Sequence, residues 1–424
     1  MTGRIPLAPV STERQFPKWS QIREVVRFKR PTLGRTARRL ENALTIEDLR
    51  RAARRTTPRS VFDYVDGAAE EEITAARNIA AYRRVTFRPE PLQSVADPDT
   101  GVEVFGKRIA MPLVFAPTGY TRMMHHHGEA AVARVAEHFG VPYALSTVGT
   151  TSIEDVRAVA PGGDLWFQLY CTNDQKINEL LVSRAEEAGY STLLLTVDTS
   201  VAGKRLKDVV NGLTIPPALT ARTILNMSLF PAWWYHKLTT PGIGFASLAG
   251  VEGNLSSEDV ARTMFDPGLD FTVLEWLRER WAGEILVKGI TTAEAAREVV
   301  RRGADGVVVS NHGGRQLDRS AATLDVLPAV RAAVGEQATV IIDSGIRHGQ
   351  DIAAARALGA DAAMIGRAYL YGIMAGGQDG VVRAYEILAG EYQRCMQLLG
   401  VRRSVDLCPR HAALDPLPSG GNGI

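Results

Sequence analysis

The chain has 424 residues, 45% of them hydrophobic and 23% charged, which is enough apolar material for one barrel-sized domain with additions or for two smaller domains. That composition excludes disorder over most of the length, and a formal net charge of +2 excludes bulk attraction to polyanions. Charge is uneven, however: residues 1–60 hold 15 Lys+Arg against 5 Asp+Glu, a basic arm that either stays solvated or touches anionic lipid. Aromatics suited to base stacking are sparse in it, so no nucleic-acid partner is expected. Three scattered cysteines, Cys171, Cys395 and Cys408, argue against a disulfide scaffold or a thiolate zinc site and fit a reducing compartment. No signal-peptide core opens the chain, and no apolar run approaches the ~18 residues needed to span a bilayer. The expected location is the cytoplasm, with peripheral attachment to the inner face of the cytoplasmic membrane as the alternative.

In chain order, residues 44–84 read as helices, with Thr45 as an N-cap and Ile46, Leu49 and Ala52 on one apolar face. Short β-branched runs then alternate with Ala/Glu/Arg-rich stretches. We read strands at Leu113–Ala116, Tyr143–Leu145, Trp166–Leu169, Thr192–Val197, Glu284–Val287, Gly306–Val309, Thr339–Ile342 and Ala362–Ile365. Eight such units specify an α/β closed (β/α)8 TIM barrel preceded by a helical extension, with its chemistry at the strand C-terminal ends. Between Asp198 and Glu284 the spacing exceeds one βα unit, so a long insertion follows strand four. Within it, Leu229–Leu238 concentrates aromatics (Trp233, Trp234, Tyr235) of the kind found at membrane interfaces, in active-site lids and in subunit contacts.

Small or polar residues follow every strand: Pro117-Thr118-Gly119, Ser146, Gln168, Thr196 with Asp198, Lys288, Ser310-Asn311-His312, Asp343-Ser344-Gly345 and Gly366-Arg367. Turn and capping residues would account for several of these, but not for Lys288, His312, Asp198 and Arg367 on one face. The run from Ser310 to Asp318 places His312 three residues before Arg315, with two intervening glycines that leave room for a ligand. An imidazole takes a proton near neutral pH, and a guanidinium grips a carboxylate through two parallel hydrogen bonds. The loops after strands seven and eight combine Gly345, Arg347, Gly366 and Arg367, the composition of a phosphate grip at the place where barrels commonly carry one. Ser146, Gln168 and Thr196 offer uncharged partners for a flavin edge, and Lys288 offers positive charge beside the ring. No Gly-x-Gly-x-x-Gly opens a helix after a strand, so a dinucleotide fold lacks its signature.

The motifs Ser310-Asn311-His312-Gly313-Gly314-Arg315-Gln316-Leu317-Asp318, Phe167-Gln168-Leu169-Tyr170, Leu195-Thr196-Val197-Asp198 and Asp343-Ser344-Gly345-Ile346-Arg347 resemble the FMN-dependent L-2-hydroxy-acid oxidase and dehydrogenase family. That family includes glycolate oxidase, mandelate dehydrogenase and respiratory L-lactate dehydrogenase, and the likeness is greatest to the last. It covers residues 44–410 in order, which leaves 1–43 as a basic extension, 411–424 as a C-terminal tail and about 211–275 as the insertion.

The resemblance implies FMN as cofactor and a small 2-hydroxy acid as substrate. It implies His312 as catalytic base and Asp198 as its charge partner, with Tyr170 and Lys288 also in the catalytic set. Tyr64, Tyr170, Arg205 and Arg315 would bind substrate. Pro117, Thr118, Gly119, Ser146, Gln168, Thr196, Lys288, Ser310, Asp343, Gly345, Arg347, Gly366 and Arg367 would bind the cofactor. Oxidation of L-lactate to pyruvate with electrons passed to a quinone is the leading expectation. The alternatives are an oxidase using oxygen, a dehydrogenase of a larger acid such as mandelate, and a binding barrel without catalysis. A homotetramer is implied as well. Three features depart from the family pattern. The run His125-His126-His127 is no hallmark of it, and three adjacent histidines are not expected to face one metal, so no metal is expected. Ala202 and Val148 stand where glycolate oxidase has bulkier residues, which predicts extra room in the pocket.

Overall fold

The computed structural model describes residues 16, 18–25, 32–213, 220–248 and 265–416. Parts of the basic arm, the insertion and the C-terminal tail lie outside the described residues. The eight expected strands form one closed parallel barrel, with consecutive strands adjacent and the last pairing with the first. We label them β1 (Leu113–Phe115), β2 (Tyr143–Ser146), β3 (Leu165–Leu169), β4 (Thr192–Thr196), β5 (Glu284–Ile290), β6 (Gly306–Val309), β7 (Thr339–Ile342) and β8 (Ala362–Ile365). Strand five runs past the expected end at Val287. A bulge between Lys288 and Ile290 carries it on; Gly289 adopts φ +108 there and stands where a Cβ would meet that of Asp198 at 2.7 Å, so both the angle and the space favour glycine.

Side chains alternate across a barrel strand, so every second residue points inward. Val114, Ala144, Trp166, Leu194, Leu286, Val308 and Ile341 belong to one buried interior cluster. Two residues further along each strand lie Ala116, Ser146, Gln168, Thr196, Lys288, Ser310 and Asp343, all buried. The interior is thus apolar at depth and polar at its C-terminal layer. The opposite end is plugged by a hairpin not anticipated from the sequence, Val102–Val104 paired with Lys107–Ile109, whose Val102, Val104 and Ile109 join the interior cluster.

The helices before the barrel form as expected and dock on its mouth. Thr45 caps Ile46–Thr56 in a reciprocal box with Asp48, and Ile46, Leu49 and Ala52 are buried. Helix Arg59–Asp66 carries Tyr64 to the rim, and helix Ile73–Arg83 packs on the loop after β6. There Asp318 accepts hydrogen bonds from the amides of Glu71, Ile73 and Thr74. Asn78 and Asn311 exchange amide hydrogen bonds at 2.8 Å in both directions. Residues 412–414, placed in the tail from sequence, form a strand antiparallel to Val85–Phe87. In the insertion, helix Pro231–Thr239 begins with proline at its first turn. Its Trp233 indole donates to the Met123 carbonyl at 3.0 Å, tying it to the loop after β1.

Candidate active site

A cavity of about 220 Å³ opens at the barrel mouth above the polar layer. Its wall brings together Tyr64, Pro117, Thr118, Gly119, Ser146, Tyr170, Arg205, Lys288, His312, Arg315, Asp343, Gly345, Arg347, Gly366 and Arg367, all of them singled out from sequence. The remaining four, Gln168, Thr196, Ser310 and Asp198, are not wall residues but lie directly behind it. Ser146 Oγ donates to Gln168 Oε1 at 3.0 Å, and Gln168 Nε2 donates to Thr196 Oγ1 at 3.0 Å. Lys288 Nζ donates to Ser310 Oγ at 2.8 Å and lies 3.1 Å from Asp343 Oδ2. A buried ammonium is tolerable only when paired. Burial lowers the Lys288 pKa, but the charges of Asp343 and Asp198 outweigh it and raise the group above its ordinary value.

His312 sits in the left-handed region, φ +58, just beyond β6. Its Nδ1 lies 3.0 Å from Asp198 Oδ1. A carboxylate only accepts, so Nδ1 carries the hydrogen and Nε2 turns its lone pair to the cavity, 3.5 Å from the Tyr170 hydroxyl. Burial pushes the Asp198 carboxyl up, but the facing His312 and Lys288 hold it below its usual value. Its Oδ2 is buried with no hydrogen-bond partner among the described residues. Burial likewise raises the Tyr170 phenol, so it stays a hydrogen-bond donor.

The arginines divide their work. Arg205 and Arg315 both lie over the Tyr64 ring, with guanidinium carbons 5.9 and 5.1 Å from its centroid. Arg315 also donates from Nη1 to the carbonyls of Tyr64 and Gly67. Burial and the neighbouring Arg205 lower the Arg315 pKa, as expected of two cations held close to each other. Arg367 spends Nε, Nη1 and Nη2 on the carbonyls of Val65, Gly313 and Gly67, while among the described residues the Arg347 guanidinium donates to the Ile346 carbonyl and lies over the Tyr371 ring. Arg347 is therefore the freer of the two for a phosphate.

Three details differ from the sequence expectation. Gly314 does not make room for a ligand: a Cβ there would meet the Ala75 amide at 2.6 Å, so its role is close packing of the pre-barrel helix. Ala202 is exposed and outside the cavity. The Gln316 side chain accepts from the Gly203 amide and donates to the carbonyls of Asp198 and Val201, which turns that loop outward. Val148 does line the wall. The ring nitrogens of His125, His126 and His127 do converge, within 4.8 Å of one another, because the chain leaves helix Thr121–Met124 in extended form at His125 and returns to helical form at His127. Sequence reasoning also missed Tyr120 and Phe245, whose rings meet edge-on at 4.9 Å in the wall. Tyr120 adjoins Gly119 and was within reach of inspection, whereas Phe245 comes from the insertion with no pattern to mark it.

The donor set suits FMN. Neutral partners stand beside a buried ammonium, and Arg347 lines the cavity together with Gly345 and Gly366; a Cβ on Gly366 would approach Thr118 and Ala116 at 3.6 and 3.9 Å. Comparison with known proteins agrees with this reading. The family model described as FMN-dependent dehydrogenase matches residues 53–414. A provisionally named L-lactate dehydrogenase of Mycobacterium tuberculosis is 47% identical over 95% of this chain and 97% of its own length. An L-lactate dehydrogenase of Caulobacter vibrioides is 41% identical over 84% of this chain and 94% of its own. Among solved structures, a monotopic membrane protein, (S)-mandelate dehydrogenase, superposes with a TM-score of 0.84 at 36% identity, covering 88% of this chain and all of that one. The chain belongs to the FMN-dependent dehydrogenase family, and is an FMN-dependent enzyme that oxidises L-2-hydroxy acids.

Proposed function

We propose that the substrate is L-lactate, oxidised to pyruvate, and that the electrons pass to a membrane quinone. The observation that carries the assignment of the site is the His312–Asp198 pair opening onto a cavity that also holds Arg205 and Arg315. In this reading the two guanidiniums bind the substrate carboxylate, and Tyr64 and Tyr170 hydrogen-bond its oxygens. His312 Nε2 takes a proton, and Asp198 stabilises the resulting imidazolium. Two electrons and two protons leave the hydroxy acid to give the oxo acid. FMN, when bound, supplies the two-electron acceptor that the side chains lack. Ser146, Lys288 and the backbone of Pro117–Gly119 line its ring site, with Gln168, Thr196, Ser310 and Asp343 behind or beside them, and Gly345, Arg347, Gly366 and Arg367 form its phosphate end.

Support for lactate comes from the names carried by relatives 47% and 41% identical to this chain and from the Tyr120–Phe245 pair, whose rings occupy part of the cavity wall. A larger acid is favoured by the mandelate dehydrogenase neighbour and by the small Val148 wall. Anaerobic stopped-flow reduction of the bound flavin separates the two: L-lactate should bleach it at a lower half-saturating concentration than L-mandelate, and the reverse order would reassign the substrate. In air, turnover should yield a reduced soluble quinone faster than peroxide; dominant peroxide would make the enzyme an oxidase.

Membrane contact belongs to the same proposal. Tyr235 and Leu238 on helix Pro231–Thr239 are exposed, as an interfacial helix requires, and the basic arm at residues 1–43 would add electrostatic attraction. Residues 44–410 would act as the catalytic unit within a homotetramer.

A further inference from the structure

A second cavity, of about 370 Å³, lies between the pre-barrel helices and helix Pro231–Thr239, and shares only Met124 with the wall of the first. Arg39, Arg55, Arg122 and Lys237 line it together with His126 and His236, and no carboxylate does so among the described residues. None of the four cations has an ion-pair partner among the described residues, in contrast to arginines elsewhere on the barrel such as Arg331 with Asp361 or Arg184 with Glu154. Arg39 donates to the Ala375 carbonyl and Arg122 to those of Pro241 and Gly242, which orients the guanidiniums without neutralising them. His236, from the insertion, stacks on His126 with centroids 3.9 Å apart. Trp233 ties that helix to Met123 in the short helix that precedes the histidines.

Two occupants could answer this arrangement, and charge chooses between them. Clustered imidazoles suggest a transition metal, but a dication would enter a wall that already carries four positive side chains and no acid. An anion reverses every one of those interactions. Burial and Arg122 lower the Lys237 pKa to about 8, and burial lowers that of Arg39, so an anion would relieve a strain already present.

We propose that this cavity binds a phosphate-type anion, with Arg39, Arg55, Arg122 and Lys237 supplying the charge. The site is independent of the reaction at the barrel mouth. Its ligand is either a phospholipid headgroup, reached along the exposed Leu229, Tyr235 and Leu238 beside the cavity, or a soluble phosphate.

The test uses the full-length FMN-loaded protein at physiological ionic strength. Calorimetric titration with inorganic phosphate is run alongside co-sedimentation with phosphatidylglycerol and with phosphatidylcholine vesicles. The cavity variant Arg39→Gln/Lys237→Gln is compared with Arg51→Gln/Arg54→Gln, which removes equal charge outside the cavity. FMN content and melting temperature report folding. Affinity should fall at least tenfold in the cavity variant alone. Loss of phosphate titration would assign a soluble ligand; loss confined to phosphatidylglycerol vesicles would assign the headgroup. Equal losses in both variants, no binding of either probe by the parent protein, or binding of Zn²⁺ with no anion response would overturn the proposal.

Discussion

At the scale of single residues, the site works by setting charges against burial. Burial raises the Asp198 pKa, yet His312 and Lys288 bring it below its ordinary value, and its Oδ2 has no partner among the described residues. Replacing Asp198 by Asn keeps the shape and removes the charge. Flavin reduction by the hydroxy acid should then slow by about 10²-fold. Because the parent carboxyl lies below its ordinary value, it is ionised throughout the range from about pH 5 to 8, so the loss should be similar at each pH. A loss that vanished at the acid end would mean that Asp198 is protonated there. The residues behind the cavity show what sequence reveals at this scale. A family motif points to Gln168, Thr196 and Ser310 but does not say that they sit behind Ser146 and Lys288 in hydrogen-bonded rows. That depends on barrel curvature, which single motifs do not encode.

At the scale of elements, legibility followed sequence distance. The eight strands were visible because each is a compact apolar run, and Thr45 marked a helix start because its capping partner is three residues away. The extension of β5 through Lys288 was not, since it runs through a bulge at Gly289 that packs against Asp198, a residue distant in sequence. The hairpin plug was hidden by short strands carrying Glu103, Lys107 and Arg108. The pairing of Val85–Phe87 with Ala412–Leu414 joins opposite ends of the chain. The helix bearing Tyr64 is fastened by Arg50, which donates from Nε and Nη2 to both oxygens of Asp66 at 2.6 and 2.8 Å, and by Tyr371, which donates to Asp66 Oδ1. Burial raises the Asp66 pKa, but hydrogen bonds from Arg50 and Tyr371 bring it below its ordinary value. A depressed carboxyl contributes stability that is present above the unfolded value, near pH 4, and is lost as pH falls through the folded one. Arg50→Met should cost about 1–3 kcal/mol at neutral pH, read from denaturant melts, and the difference from the parent should shrink on acidification. A difference that grew with acid would contradict the sign of this linkage.

For the whole molecule, the aromatic insertion is the part whose purpose is decided outside the barrel. Among the described residues no helix is long and apolar enough to cross a membrane, and Trp233 and Trp234 are turned to the protein by their own indole hydrogen bonds. Of the large hydrophobic side chains in the run, Leu229, Tyr235 and Leu238 are exposed. On the proposed membrane contact, the parent protein should float with vesicles and Tyr235→Ser/Leu238→Ser should not, with flavin reduction unchanged; equal flotation of both, or none by the parent, would contradict a contact through these residues. The sequence showed this segment as aromatic but not which rings face outward, because that follows from where the helix docks. The central claim concerns the barrel mouth, where the imidazole of His312 and the guanidiniums of Arg205 and Arg315 meet above the polar layer. The most direct measurement is the visible spectrum of the FMN-loaded protein before and after anaerobic L-lactate, for the parent and for His312→Gln. Bleaching in the parent, with FMN retained but reduction at least ~10²-fold slower in the variant, is the predicted result. Normal bleaching in His312→Gln would contradict the account.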